Sequence, residues 1–298
     1  MHLVGLFRAR GLAALCALGL LAAGCGTIAT DGQQDNEPAG SRMAAPAARA
    51  LVTQARILER AQAREAAAAK HWGLDTAPLS RPRPPARKPF LASEARYSRG
   101  GPGLPPVISR VPTDDKVVFL TIDDGDEKDP EFVRMMRELD VPYSAFLSDY
   151  LVSANYGYFR GMRKLGNGVH NHTLHHRYLP GLDADGQRKE ICGQQDILQR
   201  EIGERPRLFR PPYGNFTEET LHIAGSCGVE VVPLWTQEAF PDRMEYRDLD
   251  QRLHPGDIIL THFRGRHDWP GTMPDVARRV VRTATEQGFA IARLEDYV

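Results

Sequence analysis

After Lys116 the sequence alternates short apolar runs with longer segments of helical periodicity, and this pattern limits the possible folds more than any other feature. The run VVFLTI (117–122) is apolar and β-branched, which is typical of a strand buried on both faces. The next segment, DPEFVRMMREL, places Asp129 at a helix N-cap and Pro130 at the first helical position. Repeated strand–helix units predict an α/β fold with a parallel sheet or barrel, whose reactive groups lie at the carboxyl ends of the strands.

The same alternation continues to the C-terminus. The further predicted strands are YSAFLS, RLFR, VEVVPLW and DIILTHF. The further predicted helices are NYGYFRGMRKLG, ADGQRKEICGQQDILQREIG, TEETLHIAGSCG and PDVARRVVRTATEQG. Each of these helices ends in glycine, and the last begins with proline, as helix boundaries commonly do.

Two adjacent carboxylates stand at the end of the first strand, where VVFLTI runs into Asp123, Asp124 and Gly125. Neighbouring carboxylates repel each other, so the pair makes chemical sense if one binds a cation while the other acts as a base. Asp-Gly is also a common turn signal. A charged turn without catalytic function is therefore the alternative.

Four histidines fall within the stretch VHNHTLHHRYL (169–179), namely His170, His172, His175 and His176. His172 and His176 are four residues apart, so a helical turn would bring their rings to one face. Two neutral imidazoles and a distant carboxylate form a three-ligand zinc site with room for water and substrate. His175 is off that spacing, and His170 could share a strand face with His172. A polar loop enriched in histidine by chance is the alternative.

Two later predicted strands also end in polar side chains. Arg210 opens the segment RPPYG, and its rigid fork can hold a carboxylate in one orientation. The prolines that follow fix the backbone and so place the amides of Tyr213 and Gly214. His262 lies near the end of DIILTHF, where a lone histidine is more often structural than catalytic.

Four segments together resemble the motifs of the NodB-homology polysaccharide deacetylases, carbohydrate esterase family four. They are TIDDG (121–125), HTLHH (172–176), RPPY (210–213) and LTH (260–262), in the family's order. The resemblance implies a distorted (β/α)7 barrel over residues 106–298. It also implies a polysaccharide deacetylase, a hydrolase of carbon–nitrogen bonds in linear amides, with acetate and a free amino sugar as products.

The resemblance implies a metal site and a base. Asp124, His172 and His176 would bind a divalent ion, usually zinc and in some members cobalt or another metal. Asp123 would be the general base acting on the attacking water, and Arg210 would orient it.

It further implies an acid and a substrate pocket. His262 would protonate the leaving amine, while the Tyr213 backbone amide would hold the oxyanion. Leu260 and Trp235 would line the pocket for the acetyl methyl group.

One family motif is altered. After Trp235 the family has Asp-x-x-Asp-Trp, whose second Asp pairs with the histidine corresponding to His262, but this chain reads TQEAFPD. Glu238, Asp242 and Asp257 are the candidate replacements, and without one of them His262 is a poor acid. Two family prolines beside the site are also replaced, by Asp126 and Arg177. These changes indicate an unusual substrate choice.

The first 25 residues resemble a bacterial lipoprotein signal peptide. Arg8 and Arg10 precede the apolar stretch GLAALCALGLLAAG, which is too short to span a bilayer comfortably. LAAGC then sets small residues before Cys25, the residue that is lipidated in lipoproteins, although Ala22 replaces the usual leucine. Secretion with cleavage near residues 23–24 is the alternative, and both predict an exported protein.

Residues 26–105 are predicted to form an anchor and spacer. The segment 26–40 is polar and should be disordered, 47–72 predicts a weakly amphipathic helix with little to pack against, and APLSRPRPPARKP favours an extended polyproline-like chain. Residues 26–110 carry thirteen Lys/Arg against seven Asp/Glu, a net of +6, whereas residues 111–298 carry 23 against 31, a net of −8. A tether near an anionic surface and a solvated leader both fit this asymmetry.

Two cysteines remain beyond Cys16 and Cys25. An oxidising compartment permits a disulfide between Cys192 and Cys227. Because the spacing does not show that their Cα atoms come within about 7 Å, two free buried thiols are the default expectation.

Three functional hypotheses fit these patterns. The first is a metal-dependent hydrolase that removes N-acetyl groups from an envelope glycan such as peptidoglycan, held outside the membrane by a lipid on Cys25. The second is a non-catalytic glycan-binding lipoprotein with a degraded fourth motif. The third is an ester deacetylase or small-amide hydrolase with the same site. The basic residues alternate with Ala and Pro rather than aromatics, so no nucleic-acid partner is expected, and the expected assembly is a monomer.

Overall fold

The computed structural model describes residues 41–94 and 103–298. The predicted signal peptide 1–25, the lipidation candidate Cys25 and the predicted disordered segment 26–40 lie outside the described residues. The chain divides into two units, Met1–Thr53 and Gln54–Val298. The described residues of the first unit belong to helix α1, Ser41–His71.

Helix α1 covers the predicted helical segment, and its residues 49–67 are exposed. The chain at its C-terminal end is different, because Ala69, Trp72 and Leu74 are buried in the core of the second unit. Trp72 Nε1 also donates to Glu138 Oε2 at 2.8 Å. Residues before 106 therefore contribute to the core of this unit. No helix among the described residues is long and apolar enough to span a membrane.

Short strands, mostly parallel, form the centre of the second unit. Within the described residues they are β1 (Val107–Ile108), β2 (Val117–Asp124), β3 (Ser144–Leu147), β4 (Gly168–Asn171), β5 (Val232–Pro233), β6 (Gln237–Ala239), β7 (Met244–Tyr246), β8 (Ile258–His262) and β9 (Ala290–Ile291). Strand β2 is central, since it pairs in parallel with β3, β8 and β9. All eight of its residues are buried, which explains the apolar run that predicts it.

The strand path curves into a distorted barrel. The main order is β4-β3-β2-β8-β6-β7, with β6 and β7 antiparallel. Single parallel bridges from Asn171 to Phe209 and from Leu208 to Val231 continue the path beyond β4 towards β5. Strand β5 pairs in parallel with β1, and an antiparallel bridge from Arg110 to Asp257 leads from the end of β1 to the start of β8, so the two ends of the path meet. The predicted α/β fold is confirmed, although RLFR contributes bridges rather than a regular strand.

Six helices follow α1 in the described chain and cover the sheet. They are α2 (Pro130–Glu138), α3 (Asp149–Val152), α4 (Tyr156–Lys164), α5 (Ala184–Ile202), α6 (Glu218–Ser226) and α7 (Met273–Glu286). The side chain of Asp129 accepts a hydrogen bond from Glu131 N at 2.8 Å, as its N-cap position predicts. Thr272 and Asp275 form a capping box at the start of α7.

Cys192 and Cys227 form a disulfide that joins α5 to the end of α6. Their Cα atoms are 5.2 Å apart, within the range a disulfide can bridge. The expectation of two free thiols was therefore wrong. Residues 35 positions apart became neighbours only because α5 and α6 pack side by side.

A buried polar cluster closes the end of the barrel opposite the aspartates. Glu295 accepts a hydrogen bond from Ser144 Oγ at 2.6 Å, and its Oε1 lies 2.7 Å from His170 Nε2. Gly168 leaves space for this pair, since a Cβ there would collide with the Glu295 carboxylate. Although burial raises the pKa of Glu295, the bonds to His170 and Ser144 outweigh it and lower the pKa to about 2.

We predict that Glu295→Gln lowers the free energy of unfolding by about 1–3 kcal/mol at neutral pH, since the charge-assisted bonds are lost. Because the pKa of Glu295 is depressed, its stabilising effect is full above the ordinary value of 4.5 and disappears as the pH falls towards about 2. Denaturant titrations of both proteins across this range should show the difference narrowing with acid. The exposed Glu219→Gln is the control, and a pH-independent difference would contradict the prediction.

Candidate active site

The two aspartates lie in a tight turn at the carboxyl end of β2. Asp124 has φ 77° and Gly125 has φ 97°, both in the left-handed region. A Cβ at Gly125 would collide with Val152, so the turn requires glycine. A non-glycine residue in this conformation costs of order 1 kcal/mol, and such strain concentrates at functional sites. Ser148 N donates to Asp124 O at 3.1 Å and ties the turn to the end of β3.

The histidine stretch follows β4 as a loop rather than the expected helical turn. Thr173 and His176 both have positive φ, 73° and 52°. Buried polar side chains hold this conformation: Asn171 Oδ1 accepts from Thr173 N at 2.8 Å, and Thr173 Oγ1 accepts from His176 N at 3.0 Å. The helical expectation was wrong because these side-chain bonds replace helical backbone bonds.

The loop nevertheless brings His172 and His176 together with Asp124. Asp124 Oδ1 lies 3.6 Å from His172 Nε2 and 3.5 Å from His176 Nε2. A tetrahedral ion with bonds of about 2.1 Å has ligand atoms about 3.4 Å apart, so the spacing fits zinc or a similar ion. Asp124 Oδ1 is also buried without a hydrogen-bond partner. These three residues therefore have the geometry of a metal site.

The protonation of the two histidines also suits metal binding. His172 Nδ1 lies 2.7 Å from the Arg210 carbonyl, which can only accept, so Nδ1 carries the proton and Nε2 presents a lone pair. Burial lowers the pKa of His172 to about 4, and burial also lowers the pKa of His176. Although burial alone would raise it, the positive charge of the surrounding histidines, when protonated, and of Arg264 lowers the pKa of Asp124. At neutral pH the three residues therefore present two neutral imidazoles and one ionised carboxylate to an ion.

The other two histidines of the stretch point elsewhere. His175 Nδ1 lies 2.8 Å from Glu190 Oε1, and half of its side chain is exposed. His170 belongs to β4 and pairs with Glu295 at the opposite end of the barrel. Neither lies in the group formed by Asp124, His172 and His176.

Asp123 is held by Arg210. Arg210 Nη1 donates to Asp123 Oδ1 at 2.7 Å, and Nε and Nη2 donate to the carbonyls of Pro233 and Leu234 at 2.8 and 3.2 Å. The guanidinium is completely buried and lies over the Phe146 ring. Burial raises the pKa of Asp123, although Arg210 opposes it. Asp123 Oδ2 remains 3.6 Å from His172 Nε2, so this oxygen faces the metal-type cluster.

The structure distinguishes among the candidate partners of His262. Glu238 Oε1 lies 3.7 Å from His262 Nδ1, an ion-pair distance longer than a hydrogen bond. Asp257 is fully buried and bonds Arg110 and other groups, and Asp242 pairs with Arg243 at the surface. Burial lowers the pKa of His262 and raises that of Glu238. Only Glu238 of the three carboxylates reaches the histidine.

Of the three predicted substrate residues, Tyr213 contacts the cluster. Tyr213 has φ 61°, is 62 % exposed, and sets its ring edge-on to His176 at 4.7 Å. The partly exposed Trp235 ring borders Gly214, where a Cβ would lie 3.1 Å from the indole. Leu260 is buried in β8, where it pairs with Thr121 of β2.

Two residues at the site were not predicted from sequence. Arg264 Nη2 lies 3.3 Å from Asp124 Oδ2. Trp269 places its ring edge-on to His262, 6.1 Å between centroids. Both follow β8 in an irregular loop, and their only sequence signal is closeness to His262.

Comparisons with known proteins show a family match over part of the chain and relatives of similar sequence and fold. The polysaccharide deacetylase family model matches residues 110–232. An uncharacterised protein of Streptomyces coelicolor is 43% identical over 66% of this chain and 79% of its own length. The peptidoglycan-N-acetylmuramic acid deacetylase PdaC of Bacillus subtilis is 28% identical over 61% of this chain and 39% of its own length. Among solved structures, this chain superposes on a Bacillus anthracis pseudoenzyme of carbohydrate esterase family four, a mutant with restored enzymatic activity. The TM-score is 0.56 at 24% identity, and the match covers 65% of this chain and 71% of the other.

An α/β barrel with an Asp–His–His cluster and a buried aspartate beside it defines the chain as an enzyme. The chain belongs to the polysaccharide deacetylase family.

We predict that His172→Ala and His176→Ala each weaken zinc binding by more than about 100-fold, because each removes a ligand of the cluster. His175→Ala is the matched control, since its ring bonds Glu190 and lies outside the cluster. Isothermal titration of the chelator-treated full-length chain with zinc measures all three. Equal losses in the three variants would contradict the ligand assignment.

Proposed function

We propose that the protein is a divalent-metal-dependent N-deacetylase that acts on an N-acetylated glycan of the cell envelope. The observation that carries the proposal is the Asp124–His172–His176 cluster with the free oxygen of Asp123 beside it. Zinc is the favoured ion because the ligands are two imidazoles and one carboxylate, and cobalt fits the same set. Deacetylase relatives that act on peptidoglycan support this substrate class.

Asp123 is proposed as the general base. The ion held by the cluster would lower the pKa of a nearby water and polarise the amide carbonyl. Asp123 would take the proton of the attacking water, and its burial suits this role because the raised pKa brings the carboxylate closer to the operating pH. Arg210 holds Oδ1 and so leaves Oδ2 as the proton acceptor.

His262 is proposed as the general acid for the leaving amine. Burial lowers its pKa, so it needs a neighbouring negative charge to hold a proton at neutral pH. Asp124 and Asp123 oppose the effect of burial on the pKa of His262. Glu238, whose Oε1 lies 3.7 Å from His262 Nδ1, is proposed as the carboxylate that takes the place of the missing aspartate of the fourth motif. The Tyr213 backbone N–H is proposed to donate to the oxyanion, with Trp235 and Leu260 enclosing the acetyl group.

Export and anchoring form part of the proposal. The signal-like N-terminus and Cys25 support a lipoprotein at the outer face of the membrane. Residues 26–105 would link the anchor to the deacetylase domain 106–298, and Ala69, Trp72 and Leu74 within this linker pack into the core. Removal of acetyl groups there would leave cationic amines on the glycan. A monomer suffices, since the cluster, Asp123 and His262 all come from one chain.

Acetate release tests the proposal. The chelator-treated full-length chain should release acetate from peptidoglycan or GlcNAc oligomers only after zinc or cobalt is restored. Release from acetylated xylan alone would identify an ester deacetylase. Saccharide binding without acetate release from any substrate would identify a glycan-binding protein with a degraded fourth motif. Either of these two results would overturn the proposal.

We predict that Asp123→Asn lowers kcat for acetate release by about 1,000-fold, because Asn cannot accept the water's proton. Zinc affinity should stay within a few-fold of the wild-type value, since Asp123 lies beside the ligand set. Kinetics and zinc titration on the same preparation separate the two effects. Loss of zinc binding in this variant would show that Asp123 is a ligand instead.

We predict that Glu238→Gln lowers kcat by about tenfold and moves the alkaline limb of the pH–rate profile to lower pH. The reason is that the Glu238 carboxylate stabilises protonated His262, so its loss lowers the pKa of the acid. The control is Asp242→Asn, whose carboxylate pairs with Arg243. If the alkaline limb of the pH–rate profile does not move in Glu238→Gln, Glu238 is not the carboxylate that stabilises protonated His262.

A further inference from the structure

Arg264 is fixed above the aspartate turn by the loop that follows β8. Phe263 N donates to Asp123 O at 3.0 Å, and Glu127 N donates to Phe263 O at 2.9 Å. On the other side of Arg264, a Cβ at Gly265 would collide with the Glu127 carboxylate. The loop backbone therefore crosses the turn at close range and carries the side chain of Arg264 into the site.

The guanidinium contacts the carboxylate that completes the metal-type cluster. Arg264 Nη2 lies 3.3 Å from Asp124 Oδ2, while Asp124 Oδ1 faces His172 and His176. The Asp124 side chain is 7 % exposed and that of Arg264 is 42 % exposed. One buried carboxylate thus faces two cationic positions, the ion site on Oδ1 and Arg264 on Oδ2.

These two positions oppose each other electrostatically. A buried carboxylate without a counter-charge is unfavourable, so Arg264 stabilises Asp124 when no ion is present. A divalent ion on Oδ1 takes over that role and stands within a few ångströms of the guanidinium, where like charges repel. The hydrogen bond to Oδ2 holds the carboxylate, whereas the positive charge works against the ion.

We propose that Arg264 is a positioning residue whose charge competes with the metal ion for Asp124 and so lowers the metal affinity of the site. The inference rests on the metal site of the proposed function and adds a residue outside the four motifs. It reduces the free energy gained when the ion binds, since Asp124 is paired both with and without the ion.

Two variants separate the charge of Arg264 from its hydrogen bond. Arg264→Gln keeps a donor for Oδ2 without the charge, and Arg264→Lys keeps the charge. We expect Arg264→Gln to bind zinc about tenfold more tightly than wild type, which corresponds to about 1.4 kcal/mol. Arg264→Lys should stay within about threefold of wild type. Isothermal titration of the chelator-treated full-length chains with zinc alone measures both.

Thermal unfolding supplies an independent readout. Without metal, Arg264→Gln should melt a few degrees below wild type, because Asp124 loses its counter-charge. With saturating zinc the deficit should disappear, so the zinc-induced shift is larger in the variant. The control is Arg266→Gln, which removes the same charge from an exposed neighbouring position.

The outcomes are distinct. Equal or weaker zinc binding by Arg264→Gln, or a melting deficit that persists with zinc, would show that Arg264 only tethers the loop and would overturn the inference. Tighter binding by both Arg264→Gln and Arg266→Gln would reduce it to a general charge effect and would also overturn it. Zinc binding as expected without acetate release from any glycan would overturn the proposed function alone.

Discussion

The buried ion pair between Asp123 and Arg210 is the interaction on which the site and much of the barrel depend. Arg210 is completely enclosed, and a buried guanidinium is tolerated only when its donors are satisfied. Its bonds to Asp123, Pro233 and Leu234 join the end of β2 to the end of β5 and the residue after it. The backbone carbonyl of Arg210 accepts a hydrogen bond from His172 Nδ1 and so sets the tautomer of that ring. Stability and chemistry therefore share one set of contacts.

Two residues of the Asp124–His172–His176 cluster are placed by irregular backbone that hydrogen bonds hold. Asp124 and His176 both have positive φ, and each lies in a turn supported by hydrogen bonds from neighbouring strands or side chains. Asn171 illustrates the principle, because its amide also donates to Ile191 O and Gln195 Oε1 on α5. Such networks of buried hydrogen bonds rigidify a loop. Rigid placement is what a metal site and an adjacent base require.

Charge balance explains how so many ionisable groups share one small site. Arg210 neutralises Asp123 and Arg264 faces Asp124, so each carboxylate has a cation on the oxygen turned away from the cluster. The histidines remain neutral because burial lowers their pKa values. The altered fourth motif fits the same scheme, since Glu238 reaches His262 from β6. Glu238 is therefore the carboxylate of the altered motif that faces the histidine.

The sequence by itself determined the α/β class, the central strand VVFLTI, the capped helices and the residues that match family motifs. These depend on local patterns, namely burial on two faces, helical periodicity, cap residues and reactive side chains at strand ends. The tertiary structure alone decided that 172–176 is a loop, that Cys192 meets Cys227, that Glu238 rather than Asp242 or Asp257 approaches His262, and that Arg264 contacts Asp124. Each of these contacts joins distant segments or replaces local backbone bonds with side-chain bonds, so no local pattern encodes it.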